Sequence, residues 1–486
     1  MFATDIDPNA SSPILRAQRR RHGRHTVIWL DGTSSPTVDR LLASAMTDRH
    51  VRLMVCSPQF GTLEALRRWS EGLTDPDWAP DDRGHYMQGG NTFALRYRHR
   101  SGRTAEIRPA TEWFSHDLGH HDAADAYGLM ADMIETPKGW LGAELLASPA
   151  ATGRDLIRRS IPASAEWEPP PPHIAAEIRH NSGQGRNQLF TDAGPEGTHY
   201  SVYELDMRLA YLALCRELPG NYLSSGLPRS GDLDWAKESQ QRARWHVRIE
   251  PPRGWRHLGL APVKDGETGW QWPTDGPVVT WLDGVELHLA ISQGWRVTKI
   301  YDRMLFSRGR PLDGWASRLL SLIDRCETPE IRRRYSEPVA AAAARGWRMV
   351  ALAAIGSLHS TGAMVDRSAP LEVGREALPV EAEHIRLLDG RWHWQERQQV
   401  REPEFQMPHW SAAIWARART RLLSGPQGTG ALHLPADRIV ALRTDAIYAT
   451  LDPRWPDRGI AGDWRIKSVR HDQPWPQTVT QLLAGR

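Results

Sequence analysis

The sequence predicts a mixed α/β (α+β) protein of several domains, and three observations carry that expectation. Residues 25–135 alternate between β-branched or aromatic runs and helical patterns. The run Pro169-Pro-Pro-Pro172 is a stiff, extended break in the chain. Beyond it, strand-like runs between Tyr200 and Tyr301 precede two long helical stretches.

Taken in order, residues 1–24 are polar and end in a basic cluster, Arg19-Arg-Arg-His-Gly-Arg-His25, which reads as a flexible basic tail. Thr26-Val-Ile-Trp-Leu30 is a strand closed by Asp31, followed by a helix over 38–46 and a strand over Val51–Val55. The runs 92–97 and 104–108 form a hairpin across Ser101-Gly102, and Ala123–Ile134 is helical. His116, His120 and His121 fall near Asp117, Asp122 and Asp125, but at a spacing that matches no ligand pattern. Two further helices, Trp140–Leu146 and Thr152–Arg159, lead to the proline linker.

After the linker, His173–Arg179 is a short helix. Gly183-Gln-Gly185-Arg186 follows; its glycines allow a close backbone approach, and Arg186 can bind a phosphate, although a plain turn explains the same residues. Tyr200–Leu205 is a strand that ends at Asp206, and an apolar helix-like run leads on to Pro219-Gly220. An Asp at such a junction is most often a helix N-cap, but it is also a place to hold a metal ion at a sheet edge. Strands at 245–250, 258–263, 278–282 and 295–301 and a helix at 285–291 make a sheet-centred domain. Residues 312–326 and 338–358 are helices; Arg332-Arg-Arg334 precedes the second, and Arg345 and Arg348 project from it. These arginines are either ordinary solvated side chains or a triphosphate clamp. A hairpin turns at Asp389-Gly390, a helix spans 412–423, and Arg438–Thr450 is a second hairpin with Asp445 at its turn.

Composition sets the outer limits. The chain has 486 residues, enough for two to four domains, and its apolar content of 40% allows a sizeable core. No stretch approaches the roughly 20 uninterrupted apolar residues of a membrane span. No apolar run follows the N-terminal arginines, so no signal peptide is expected. Cys56, Cys215 and Cys326 have no paired spacing and read as buried thiols of a reducing cytoplasm, with no zinc site. The net charge of +3 permits nucleic-acid binding without arguing for it.

Asp206 and Asp445 carry the chemistry. Strand-edge carboxylates far apart in sequence can meet on one sheet and hold two divalent cations, which activate a 3′-hydroxyl and stabilise a leaving pyrophosphate. The order of these pieces resembles the family B DNA polymerases, closest to the compact protein-primed kind of phages and linear plasmids, over roughly residues 120–470. Asp206-Met-Arg-Leu-Ala-Tyr211 is similar to the first palm motif, DxxSLYP, which implies a metal-binding role for Asp206 and a sugar-screening role for Tyr211. Arg348-Met-Val-Ala-Leu352-Ala-Ala-Ile355-Gly356 is similar to the fingers motif KxxxNSxYG. That implies nucleotide binding by Arg348 and Gly356, with Arg334 close by. Leu442-Arg443-Thr444-Asp445-Ala446 is similar to YxDTDS, with Asp445 on its second Asp and Arg443 replacing its first. Gly183, Gly185 and Arg186 resemble the DNA-binding YxGG segment. Leu352 and Ile355 replace the family's Asn and Tyr, and Leu209 and Leu212 replace the Ser and Pro of its first motif.

The resemblance implies an RNase H-like exonuclease-type domain, then a palm with helical fingers and little or no thumb. The exonuclease pattern is degenerate. Asp31-Gly32-Thr33 lacks the Glu of DxE, and Asp125 closes a degraded YxxxD, so a folded but inactive nuclease is expected. Expected boundaries are 1–24 tail, 25–165 exonuclease-like domain, 166–310 palm, 311–365 fingers, 366–435 insertion and returning helix, and 436–486 palm end with a vestigial thumb. Implied cofactors are two Mg²⁺ or Mn²⁺ ions. Implied partners are a DNA primer-template, deoxynucleoside triphosphates and a terminal or processivity protein, in the cytoplasm of a bacterial or phage-infected cell. The alternatives are a polymerase-shaped protein that binds nucleic acid or a partner without catalysis, and a transferase that adds a few nucleotides to a protein or DNA end.

Overall fold

The computed structural model describes residues 17–22, 25–31, 39, 42, 50–56, 72–80, 86–88, 92–115, 118–136, 139–146, 148–162, 165–183, 185–191, 198–216, 218–227, 235–240, 242–265, 269–360, 364–378, 382–388, 390–397 and 405–483. For residues 17–22, 25–31, 50–56, 80, 86–88, 92–96, 120, 235, 236, 364–366, 368, 383 and 397 the description covers the backbone alone.

The chain begins with strands β1 (Ala17–His22), β2 (His25–Asp31), β3 (His50–Cys56), β4 (Trp78–Pro80), β5 (Tyr86–Gln88), β6 (Thr92–His99) and β7 (Thr104–Pro109). Helices α1 (His120–Ile134), α2 (Pro149–Ser160) and α3 (Pro172–Asn181) follow. Next come β8 (Arg186–Leu189), β9 (His199–Met207), α4 (Ala210–Ala213), β10 (Pro219–Ser225), α5 (Trp235–Glu238) and β11 (Ala243–Glu250). After them come β12 (Val263–Asp265), β13 (Gly269–Gln271), β14 (Val278–Asp283), α6 (Gly284–Ser292) and β15 (Arg296–Arg308). Helices α7 (Asp313–Cys326), α8 (Pro329–Tyr335) and α9 (Glu337–His359) lead to β16 (Met364–Pro370), β17 (Glu383–Leu388) and β18 (Arg391–Arg397). The last elements are α10 (Pro408–Leu423), β19 (Ile439–Thr444), β20 (Ala446–Ala449), β21 (Trp464–Pro474) and α11 (Val479–Leu483). They form two compact units, 1–159 with 318–403 and 160–317 with 404–486.

In the first unit β2, β3 and β7 run parallel, and β1 and β6 flank them antiparallel. The sheet continues through β5, β16 and β18 to β17. Residues 17–22, expected in a flexible tail, are therefore an edge strand; their arginine-rich run suits a strand paired on one side. The run 140–146 is not helical as expected: Gly142 sits at φ 70°, and Trp140 N–H donates to the Ile134 carbonyl, folding the chain back on α1. Of the helix expected over 38–46, Asp39 and Leu42 are described and helical.

Alanines and glycines bring α1, α2 and α9 together. A Cβ on Gly346 of α9 would lie 2.4 Å from Met130 Sδ of α1, and one on Gly153 of α2 would lie 2.4 Å from Ala354 Cβ of α9. The expected fingers helix α9 thus packs with the N-terminal helices. It is also long and apolar enough to cross a bilayer, yet 56% of its most apolar window is buried in the protein, and Arg345 and Arg348 interrupt it.

The second unit holds two large sheets, β10-β15-β11-β14 and β21-β9-β20-β19-β8, and the small β12-β13 pair. The two large sheets share one core, in which Leu205, Met207 and Ile447 from the five-stranded sheet meet Trp245, Val247 and Leu282 from the four-stranded one, and α10 contributes Leu422 and Leu423. Asp283 caps α6 in a capping box with Glu286, which fixes where β14 ends and the helix starts. The run 258–261, expected as a strand, is buried without pairing; a Cβ on Gly259 would lie 2.3 Å from the Trp272 carbonyl, so it packs as extended coil. The helix expected after Asp206 is a single turn, α4, because Leu209 enters the left-handed region at φ 48°.

Candidate active site

Asp206 and Asp445 are brought together by strand pairing. β9 lies between β20 and β21, with Asp206 opposite Ala446 on one side and Arg465 on the other. Asp445 is the residue before Ala446, at the turn from β19 to β20, and Met207 N–H donates to its carbonyl at 3.1 Å. Both carboxylates are buried. The tight turn is possible because Thr444 takes φ 54°, and its hydroxyl donates to Asp445 Oδ1 at 2.9 Å.

The sequence reading missed the charges around this pair. Arg465 Nη2 lies 3.1 Å from Asp206 Oδ2. Glu204, two residues earlier and therefore on the same face of β9, accepts from Lys467 Nζ at 2.9 Å and from Ser468 at 3.1 Å. The register slips between Ile466 and Ser468, and this bulge lets both residues reach one carboxylate. The signal was available: Glu204-Leu-Asp206 and Arg465-Ile-Lys467 carry opposite charges at the same period of two. Asp463, also missed, accepts two guanidinium hydrogen bonds and a backbone one from Arg458, which hold its carboxyl below the usual range. Its carbonyl accepts from Arg208 N–H and so anchors the segment after Asp206.

The Gly183–Arg186 segment does touch the site, though differently from expectation. A Cβ on Gly185 would lie 2.9 Å from Thr444 Cγ2 and 3.0 Å from its Cα, so this glycine fits against the Asp445 turn. Gly183, at φ 61°, sits against the ring of Trp270. Arg186, expected as a phosphate or DNA contact with a plain turn as the alternative, faces the protein interior. It is fully buried, donates to Gln188 and to the Gly259 carbonyl, and stacks 5.0 Å over Trp272. Desolvation pushes its guanidinium down, to about 9.

Arg443 is half-buried opposite Ala446 and Asn187. Tyr211 is half-buried on α4 against the core. Arg348 is half-buried and Gly356 exposed on α9, and Arg334 is exposed on α8 beside Tyr335; all three belong to the first unit. Asp31 closes β2, its side chain outside the described residues; Asp125 is half-buried on α1. His116 and Asp117 also lie outside the described residues. Among the described residues no three His, Cys, Asp or Glu side chains group as a metal site.

Asp206 and Asp445 are oxygen donors of the kind a hard divalent cation takes. Mg²⁺ takes one or two protein carboxylates and fills its other positions with water and substrate phosphate oxygens. Arg465 meanwhile gives Asp206 a positive partner.

No family model and no curated protein matches the chain. Solved structures do. Phi29 DNA polymerase in its orthorhombic crystal form superposes with a TM-score of 0.56 at 13% identity, over 89% of this chain and 78% of that one. The phi29 enzyme with primer-template DNA and incoming nucleotides gives 0.56 at 12% identity, and with single-stranded DNA 0.54 at 14%, each over the same shares of the two chains. The chain therefore has a polymerase-like fold of that type, mixed helix and sheet, in a divergent sequence.

Proposed function

We propose that the protein is a divergent DNA polymerase that transfers nucleotides to a 3′-hydroxyl. The observation that supports this reading most is the meeting of Asp206 on β9 with Asp445 at the β19–β20 turn, 239 positions apart in the chain, in a fold shared with phi29 DNA polymerase. Asp206 and Asp445 would hold Mg²⁺ or Mn²⁺. Such ions, when bound, activate the attacking hydroxyl and neutralise the charge on the leaving pyrophosphate. The chain's own part is to fix the two carboxylates on paired strands. Gly185 and Thr444 set the turn, and Asp463 anchors the backbone after Asp206. Arg348 and Arg334 would bind nucleotide phosphate, Tyr211 would screen the sugar, and the exonuclease-type domain would be inactive.

A second reading has a specific observation behind it. Arg443 replaces a carboxylate and Arg465 already pairs with Asp206, which suits a polymerase-shaped protein that binds nucleic acid without catalysis. Single-nucleotide extension of a primed DNA template with Mg²⁺ or Mn²⁺ separates the two. Extension by the wild type that is lost in Asp206→Asn and in Asp445→Asn supports the polymerase. Salt-sensitive DNA binding without extension supports the second reading.

A further inference from the structure

We propose that the second unit carries an oxyanion site, built from residues other than the aspartate pair, that takes free phosphate or pyrophosphate. A cavity of about 200 Å³ is lined by strands β10, β11, β14 and β15, the segment before β11 and helix α10. Its wall brings together Arg242, Arg244, Arg417, His409 and Gln240, and Asp283 is the one carboxylate among its lining residues.

Three guanidinium groups and one carboxylate line the wall, and Arg244 is a group whose hydrogen bonding is incomplete. Arg244 is almost fully buried; Nη2 donates to the Asn181 carbonyl at 3.0 Å, while Nη1 meets no acceptor among the described residues. Asp283 offsets part of that charge, but it is also the N-cap of α6, accepting from Val285 N–H. Glu286, the next acid, is committed to Arg419 at 2.8 Å inside the core. His409 is buried and stacked flat on Phe306, with ring centres 5.3 Å apart, and the Gly220 backbone is its polar neighbour. A buried guanidinium with an unmet donor is costly, and a phosphate oxygen is a charged acceptor for it. The apolar wall strengthens that bond by lowering the local dielectric. The space suits a small oxyanion and leaves little room for a base and sugar. Asp206 and Asp445 are not among the lining residues, so the site stands whether or not the chain polymerises DNA.

The test is calorimetric titration of the full chain with sodium pyrophosphate, inorganic phosphate and dATP in buffer containing EDTA, where a metal-dependent site is silent. One-site saturable binding of pyrophosphate or phosphate is expected. It should persist in Asp206→Asn and weaken at least ten-fold in Arg242→Gln, a half-buried wall position, and in Arg244→Gln. dATP should bind more weakly than pyrophosphate. No saturable binding of either inorganic anion by the wild type overturns the proposal, as does binding unchanged in both arginine variants or a response to dATP alone. A measurement on the wild type covers variants that fail to fold: pyrophosphate should protect Arg242 and Arg417 from phenylglyoxal, mapped by mass spectrometry, and equal labelling with and without it overturns the assignment.

Discussion

Arg465 reaches from β21 to Asp206 on β9, with Nη2 3.1 Å from Oδ2, and so occupies the carboxylate that a metal ion would claim. The carboxylate is buried and the arginine about one-third exposed, so the guanidinium can leave toward solvent while the aspartate cannot. Metal binding at Asp206 then competes with this ion pair.

Arg465→Gln should therefore lower the stability of the metal-free protein by about 1.5–3 kcal/mol, the range for hydrogen bonds to charged groups. It should also tighten Mn²⁺ binding by roughly ten-fold, since about 1.4 kcal/mol no longer opposes it. Melting curves with and without Mn²⁺ check both. Equal Mn²⁺ affinity in variant and wild type would remove Asp206 from the list of ligands.

Gly185→Ala should disturb the Asp445 turn without unfolding the unit. The added methyl meets Thr444 at 2.9–3.0 Å, closer than side chains pack, and one contact is to backbone. A cost of about 1–3 kcal/mol is expected for such overpacking. Primer extension should fall at least ten-fold while circular dichroism stays native. Full activity in this variant would show that the turn tolerates displacement.

His409 predicts an acid limb in stability. Burial pushes its imidazole down, to about 3, against an ordinary value near 6.5. Between those values the unfolded chain takes up a proton that the folded chain refuses, so stability falls as pH drops below about 6.5, by about 2 kcal/mol at pH 5. Arg242, Arg244 and Arg417 on the same cavity wall oppose the imidazolium, and Asp283 favours it. Urea midpoints from pH 7.5 to 4.5 should show this slope in the wild type and a shallower one in His409→Phe. Parallel slopes would place the acid sensitivity elsewhere.

In the first unit, Gly153→Val should separate α2 from α9. Even its Cβ would lie 2.4 Å from Ala354 Cβ and 2.6 Å from the Val350 carbonyl, and neither can swing away. A loss of about 2–3 kcal/mol is expected, read as an earlier melting transition. An unchanged transition would show that the two helices can part without cost.

Much of this was legible in the chain. The strand ending at Asp206, the hairpin carrying Asp445 and the helices near 285–291, 312–326 and 338–358 stood out because period and punctuation agreed there, as at Asp283 before α6. The carboxylate pairing was legible as two strand-edge aspartates that could share a sheet, but no local pattern records that β9 inserts between β20 and β21. Arg186 misled because a basic residue after glycines looks like a phosphate ligand, whereas here its acceptors are Gln188 and a carbonyl 73 positions away. The run 258–261 misled because burial alone makes a coil as apolar as a strand. Arg465 and Lys467 were readable from their alternation, but only once a partner strand was known.

The placement of β21 also sets a timetable for synthesis. Arg465 follows Asp206 by 259 positions, which at about 5–20 residues per second means a delay on the order of tens of seconds on the ribosome. Through that interval the nascent chain presents Glu204 and Asp206 on an unsealed strand, with neither cation yet made. β21 is the strand that neutralises them, so a chain stalled before Trp464 carries an open acidic edge, a surface that a chaperone or protease can recognise as unfinished.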